Sequence, residues 1–567
     1  MEKIWLKHYD PGVPATIEYP AITLHQLLEE SVKRFPRHPV IIFPGVLGDD
    51  CRLTYHELNQ QANKLANALL SLGVKKGDRV ALLMPNCPQF VISYYAALKI
   101  GGIVVATNPL YSPREMEFQL KDCSAETTIV LSPFYKTIAA LRQRTSIRNI
   151  VVTNIKEYLP PFSRLLFTLF RERKEGHRVD ISGEENVYSF QNLIREADAA
   201  PPQVTVEPED VAMLQYTGGT TGLSKGAVAT HRNVLANVLQ MKAWATPINV
   251  KEGEEIALGV MPLFHVYGMV TVMHFTVATG SAMLLLPRFQ INQVLKMINR
   301  YKPAFFPGVP TMYVAVINHP EVKKYNLRSI RACISGAAPL PVEVQEKFEE
   351  LTGGKLVEGY GLSEAPTATH CNPLTGKRKV GSIGVPLPDV EAKIMDMESG
   401  EKEMAIGEVG ELVIKAPQVM KGYWNRPEET KMVLRQGWLY TGDLAKMDED
   451  GFFTIVDRKK ELIIAGGYNV YPREVEEVLY EHPKIKEVAC YGVPDPYRGQ
   501  TVKVAIVLKE GQTATAEEII EFCRERLARY KVPKLIEFRT ELPKSPIGKV
   551  LRRVLMEEEQ SKKPNIQ

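Results

Sequence analysis

From about residue 78 to about residue 340, short apolar runs alternate with stretches of helical periodicity, and this alternation limits the fold more than any other feature. Val80–Met84, Ile103–Ala106, Ile129–Leu131 and Ile150–Val152 are such runs. The rhythm is that of an α/β protein with largely parallel sheets. Ahead of it, Thr54–Glu57 forms a capping box, Leu58, Ala62, Leu65, Ala66 and Leu69 recur at helical spacing, and Gly73 ends the helix. From Gly381 to about Ile455 short alternating strands are separated by Gly, Pro and Asp, which predicts a small β-rich unit. After Asp457 the chain becomes compact and charged, and the capping box Thr515–Glu518 opens a last helix expected to reach about Arg529. The charged stretch Asp457–Leu462 lies between apolar ones. The expected division is therefore 1–456, a linker at 457–462, and 463–567.

With 567 residues there is room for several domains, and 45% hydrophobic with 24% charged residues is an ordinary soluble composition. A net charge of +4 on this length does not point to nucleic acid. The seven cysteines form no Cys-x-x-Cys pair, which fits a reducing compartment and argues against a disulfide framework or a zinc site. The start lacks the apolar core of a signal peptide, no apolar run approaches bilayer length, and the end carries no peroxisomal address. A cytoplasmic protein is expected. One segment breaks the rhythm. Pro160-Pro161 precedes Phe162, Leu165, Leu166, Phe167, Leu169 and Phe170, with Arg164, Arg171, Arg173, Lys174 and Arg178 around them. A basic amphipathic helix over 160–174 either packs on its own protein or lies peripherally on the inner face of the cell membrane. His177 reads as a surface base.

Tyr216–Ala227 reads Tyr-Thr-Gly-Gly-Thr-Thr-Gly-Leu-Ser-Lys-Gly-Ala and follows the apolar run Val211–Leu214. Glycines let backbone N–H groups close on an anion, hydroxyls add donors, and Lys225 adds a mobile charge. The stretch is a phosphate-gripping loop. It is not the usual nucleotide P-loop, because no Gly-Lys-Ser/Thr triplet ends it. Five further segments stand out: Met261–Gly268 with its aromatics and His265, Ser335–Leu340, Gly359–Glu364, Tyr440–Asp443, and Pro543–Lys549 with a lysine on a Pro/Gly turn. Each alone reads as an ordinary turn.

Their joint order, from Leu53-Thr54-Tyr55 to Lys549, resembles the adenylate-forming superfamily of acyl-CoA synthetases, aryl-CoA ligases, luciferases and peptide-synthetase adenylation domains. Gln436–Asp443 through Asp457–Lys460 is similar to the signature of fatty acyl-CoA synthetases, and the subgroup most resembled is that of bacterial long-chain fatty-acid–CoA ligases. The resemblance implies an α/β fold. It would have a large N-terminal domain of two α/β sheet subdomains plus a small β-barrel, and a small mobile α+β C-terminal domain. It implies ATP, CoA and a long-chain fatty acid as substrates, with Mg²⁺ as cofactor, and allows a homodimer.

It also implies roles. Thr217, Gly218, Gly219, Thr220, Thr221, Gly222 and Lys225 hold the β- and γ-phosphates. Glu364 with Thr217 binds the metal. Gly336, Ala337, Ala338, Glu358, Gly359, Tyr360 and Gly361 line the adenine slot, and Ser363 sits near the α-phosphate. Asp443 accepts from the ribose hydroxyls with Arg458 nearby. Lys549 stabilises the adenylation transition state. His265 either borders the acyl pocket around Met261–Tyr267 and Gly308–Thr311 or is a core histidine. Domain alternation about Lys460 then replaces Lys549 by Gly466, Gly467 and Tyr468, which line the pantetheine tunnel. The remaining alternatives are a medium-chain or aryl-CoA ligase and an enzyme that loads a carrier protein.

Overall fold

The computed structural model describes residues 3–45, 48–217, 224–465, 468–495, 499–545 and 550–561. The described residues among 1–218, 224–391 and 415–434 form one compact unit, and those among 392–414 and 435–567 form a second.

The expected alternation produces an eight-stranded sheet in the first unit. Its order is Gly422–Tyr423, Lys225–Thr230, Val211–Thr217, Ile103–Thr107, Arg79–Leu83, Thr127–Leu131, Asn149–Thr153, Val187–Ser189. From Val211–Thr217 onward the neighbours are parallel. Lys225–Thr230 turns back antiparallel on Val211–Thr217, and Gly422–Tyr423 pairs antiparallel with it. The apolar runs are continuous because helices cover both faces of such a sheet, and Val105, Val130, Ile150 and Leu214 share one core. The capping box at Thr54 and Glu57 opens the helix Tyr55–Ser71, and Gly73 takes φ +88° just beyond its end.

A second sheet comes in two four-stranded parts. One is ordered Ile256–Gly259, Ala282–Leu285, Pro39–Pro44, Asp50–Thr54; the other Ala332–Ser335, Lys355–Leu362, Ala365–Cys371, Val385–Pro386. Single-residue parallel bridges from Ala257 to Phe305 and from Phe305 to Ala332 join them. Leu258, Leu284, Phe306, Tyr313 and Phe348 lie in the core on this sheet.

In the second unit, Glu391–Met395, Gly410–Lys415, Trp438–Met447 and Leu434–Arg435 form a sheet extended by Phe453–Arg458. Among the described residues no pairing closes it into a barrel. A separate sheet of Tyr468–Val470, Ile463–Ala465, Gly499–Leu508, Ile485–Asp495 and Leu535–Phe538 carries the helices Pro472–Tyr480, Ala516–Arg524 and Arg552–Ser561. The linker 457–462 lies within this unit. The helix opened by Thr515 ends at Arg524, short of Arg529. Leu527 and Tyr530 still pack on the same core, but from turns, so their spacing imitates a longer helix.

Pro161–Phe170 is a helix as expected, but its inward stripe is Ser163, Leu166 and Phe167. Phe162, Leu165, Leu169 and Phe170 are 53–70% exposed. His177 is not a surface base. It is buried, its Nδ1 lies 2.9 Å from Ser132 Oγ, and its ring packs edge-to-face with Phe167, the ring centres 5.2 Å apart. Burial holds its pKa down to about 4.

Candidate active site

Three of the expected segments leave the carboxyl ends of strands in the first unit. Thr217 closes Val211–Thr217, Gly336–Ala338 follow Ala332–Ser335, and Ser363-Glu364 follow Lys355–Leu362. Open α/β sheets bind ligands at this edge. The turn after Ser335 is built from below. Tyr267 OH donates to Ile334 O at 2.5 Å and to Gly308 O at 3.2 Å. Glu358 is buried, and its Oε2 accepts the Leu340 N–H at 3.1 Å. Its carboxylate therefore shapes the turn. Ala337 has φ +67°, a left-handed conformation that costs a non-glycine residue energy. Ala337 and Ala338 are exposed, and Tyr360 packs edge-on against buried His370 with centroids 5.9 Å apart. Gly359 and Gly361 flank Tyr360 in the same strand.

His265 caps the turn Val266–Gly268. Its Nδ1 accepts the Tyr267 N–H at 3.2 Å, and burial lowers its pKa to about 4. The imidazole is therefore neutral, with its proton on Nε2. Its observed work is to cap the turn that aims Tyr267 at Ile334.

Around Thr217, Lys225 and Glu364 the structure shows a network of residues with no motif of their own. Thr217 pairs with Lys225 across the hairpin, and Thr217 O accepts from Ser224 Oγ. Lys225 makes an ion pair with Glu429, and its ammonium lies 5.1 Å from the Tyr423 ring centre. The hydrogen bond from Lys225 is the main cause that holds the Glu429 carboxyl below its usual range. Tyr423 OH donates to Glu364 Oε1 at 2.8 Å. On the other side Arg426 reaches Glu429 at 3.4 Å and Asp122 at 2.9 Å, and Asp122 accepts from Tyr216 OH at 2.7 Å. Thr217 and Glu364 offer only oxygen donors, and no cluster of three or more His, Cys, Asp or Glu gathers for a metal among the described residues. Such a pair fits a hard cation that brings phosphate oxygens with it, since Mg²⁺ is seldom held by an all-protein cage.

In the second unit Asp443 and Arg458 face each other on paired strands, with Arg458 Nε 3.1 Å from Asp443 Oδ1. Gly442 has φ +74°, and its N–H donates to Glu411 Oε1 at 3.1 Å. Lys459 donates its N–H to Gly442 O at 2.9 Å and pairs with Glu411 at 2.8 Å. Two residues on, Glu461 makes an ion pair with Arg552, whose guanidinium also grips Glu476 at 2.6 and 3.1 Å. Lys460 thus lies between one residue tied to the β-rich sheet and one tied to the C-terminal helix. Asp457 accepts the N–H groups of Arg458 and Arg473 at 2.7 and 2.8 Å, and burial raises the carboxyl pKa of both Asp457 and Glu476.

Gly218, Gly219, Thr220, Thr221, Gly222, Gly466, Gly467 and Lys549 lie outside the described residues, and for Tyr468 the description covers the backbone.

Residues 28–424 match the family model described as AMP-binding enzyme, and residues 474–549 match that of the AMP-binding enzyme C-terminal domain. Over 560 residues the chain is 50% identical to a long-chain-fatty-acid–CoA ligase of Bacillus subtilis, covering 98% of each chain. Over 571 residues it is 38% identical to a protein of the same name from Escherichia coli O157:H7, covering all of both. Its fold is similar to the crystal structure of ATP-bound MatB from Rhodopseudomonas palustris, with TM-score 0.82, 28% identity, 95% of this chain and 99% of the other covered. The two sheets of the first unit, the strand-end turns they carry and these full-length matches agree: the chain belongs to the AMP-binding enzyme family.

Proposed function

We propose that this chain is a long-chain fatty-acid–CoA ligase, joining a fatty acid to CoA through an acyl-adenylate at the expense of ATP. The observation that carries the reading is positional. Thr217, Ala337 and Glu364 stand at three strand ends of one unit, in a chain that matches enzymes of that name over its full length.

A carboxylate is a poor acyl donor because its leaving group would be an oxide. In the first half-reaction its oxygen attacks the α-phosphorus of ATP, the bond to the bridging oxygen breaks, and pyrophosphate leaves with that electron pair. In the second, the CoA sulfur displaces AMP from the acyl carbon and its thiol proton is lost. Such transfers rest mainly on positioning and charge neutralisation. Magnesium, held by Glu364 and Thr217 together with phosphate oxygens, would supply part of that neutralisation. Lys225 balances the leaving pyrophosphate. Tyr360 stacks on adenine, and the 335–340 turn shaped by Glu358 forms the slot beside it. Asp443 accepts from the vicinal ribose hydroxyls, oriented by Arg458. Lys549 puts its ammonium between the carboxylate and the α-phosphate. It then withdraws as the segment beyond Lys460 turns and Gly466-Gly467-Tyr468 lines the path of pantetheine.

Purified protein with ATP, Mg²⁺ and CoA, tested on acids from acetate through oleate plus a cinnamate, decides the substrate. Turnover rising with alkyl length supports the assignment, and turnover confined to acetate or cinnamate overturns it. Lys549→Ala is expected to abolish acyl-adenylate formation, read as pyrophosphate exchange, and to leave thioesterification of supplied acyl-AMP largely intact. Equal loss of both half-reactions overturns the alternation.

The exposed quartet Phe162, Leu165, Leu169 and Phe170 supports a peripheral membrane contact. Arg173, Lys174 and Arg178 beside it are exposed and enter no ion pair among the described residues. An apolar face rimmed by cations suits an anionic lipid surface, and an acid released from the membrane would be at hand there.

A further inference from the structure

Tyr423 belongs to none of the motifs that mark the active site. It stands in a two-residue strand at the edge of the eight-stranded sheet, paired with Ala227. Three contacts fix its placement. Its N–H donates to Thr430 Oγ1 at 2.9 Å, its hydroxyl donates to Glu364 Oε1 at 2.8 Å, and its ring lies under the Lys225 ammonium at 5.1 Å. The same segment grips Glu364 a second time, because Met420 N–H donates to the Glu364 carbonyl at 2.8 Å. The side chain and the backbone of Glu364 are thus both held from one short segment.

We infer that Tyr423 is a positioning residue for the cation site: its hydroxyl fixes one oxygen of Glu364 and turns the other toward a hard cation, while its ring aligns Lys225 beside it. The inference rests on the reading of Glu364 as a metal ligand. A carboxylate that rotates freely presents its oxygens in many directions, and a donor on one of them removes that freedom. Outer partners of this kind tune metal affinity without touching the metal. The ring contributes separately, since a cation over a tyrosine face is attracted by the ring quadrupole. The ion pair of Lys225 with Glu429 and its contact with the ring hold the lysine in a defined place. One side chain thereby sets both the cation ligand and the phosphate-facing lysine.

Tyr423→Phe separates the two roles. It keeps the ring under Lys225 and removes the hydroxyl from Glu364. The Mg²⁺ concentration for half-maximal pyrophosphate exchange should rise about tenfold, as for other outer-shell losses, with the rate recovering as Mg²⁺ is raised. Mn²⁺ binding to the enzyme with a non-hydrolysable ATP analogue, followed by electron paramagnetic resonance, should weaken by the same factor. On a Glu364→Gln background Tyr423→Phe should add nothing, because residues acting through one another are not additive. Unchanged Mn²⁺ affinity in Tyr423→Phe overturns the inference, and so does a fully additive loss in the double variant. Unchanged Mn²⁺ affinity in Glu364→Gln alone overturns the metal reading itself, and the inference with it. If Tyr423→Phe does not fold, Glu364→Asp gives a second route. It keeps the charge but draws it back from the hydroxyl, and is expected to weaken Mn²⁺ binding in the same sense; unchanged binding overturns the inference.

Discussion

At Gly361 an added Cβ would lie 1.4 Å from the carbonyl oxygen of Thr367, a distance no side chain tolerates. The cause is the hairpin itself. Lys355–Leu362 and Ala365–Cys371 are joined by Ser363 and Glu364 alone, and the register shifts twice between Tyr360 and Leu362. Gly361→Ala must push the strands apart at the point that carries Glu364. The expected cost is roughly 3 kcal/mol, in the range of severe overpacking, seen as a lowered melting temperature together with a raised Mg²⁺ requirement. A melting temperature equal to wild type would refute the crowding. Gly361 was legible as part of Gly359–Glu364, but its reason was not, because Thr367 O becomes its neighbour only when the hairpin closes. Asp443 and Arg458 were legible as a pair and do meet. Asp122, Glu411, Tyr423, Arg426 and Glu429 were not. Asp122 and Arg426 are 304 positions apart, and a lone acid and a lone arginine carry no sign that they will face each other.

Among elements, Pro161–Phe170 shows where periodicity misleads. The apolar residues are spaced for a helix, and a helix forms, but it turns polar Ser163 inward with Phe167 and leaves Phe162, Leu165, Leu169 and Phe170 outside. Spacing gives a face and does not say which face the fold covers. Two substitutions on this helix should therefore behave oppositely. Phe167→Glu puts a carboxylate against the His177 ring in a buried position. It should cost at least about 3 kcal/mol, the scale of an unpaired charge in a core. Phe170→Glu changes a side chain 70% exposed and should leave the melting temperature nearly unaltered. Co-sedimentation with anionic vesicles should reverse the order: Phe170→Glu pellets less than wild type, and equal pelleting removes the membrane contact. The long parallel strands were readable within a residue or two, since burial on both faces writes them as apolar runs. The two-residue strand Gly422–Tyr423 was not readable, because so short a pairing has no period.

For the molecule as a whole, the two units carry different titratable burdens. His231, His274 and His370 are wholly buried in the first unit, and burial lowers each pKa to about 3. His274 lies between the hydroxyls of Tyr95 and Tyr94 at 3.2 and 3.0 Å, and His231 accepts the Leu24 N–H on Nδ1 at 3.2 Å, so both are held neutral. In the unfolded chain these rings titrate near pH 6.5. The folded pKa lies below the unfolded one, so the stabilisation is complete above about pH 6.5 and is lost as the pH falls toward 3. Near pH 5 these three rings alone give the unfolded chain about three protons that the folded chain refuses, a slope of roughly 4 kcal/mol per pH unit, and His25, His177 and His265, lowered to about 4 by burial, add to it in the same sense. In the second unit the buried carboxyls of Asp457 and Glu476 are raised, so protonation there occurs first in the folded state. Their contribution is complete below the unfolded carboxyl range and is lost as the pH rises through the raised values, the opposite sense. Scanning calorimetry at pH 7.5 and 5.5 should therefore show the first unit's transition moving to lower temperature by more than the second unit's, where buried His482 is lowered in the same sense but the raised carboxyls oppose it. Equal shifts of both transitions would mean that the first unit's buried imidazoles do not set the acid limit of this fold.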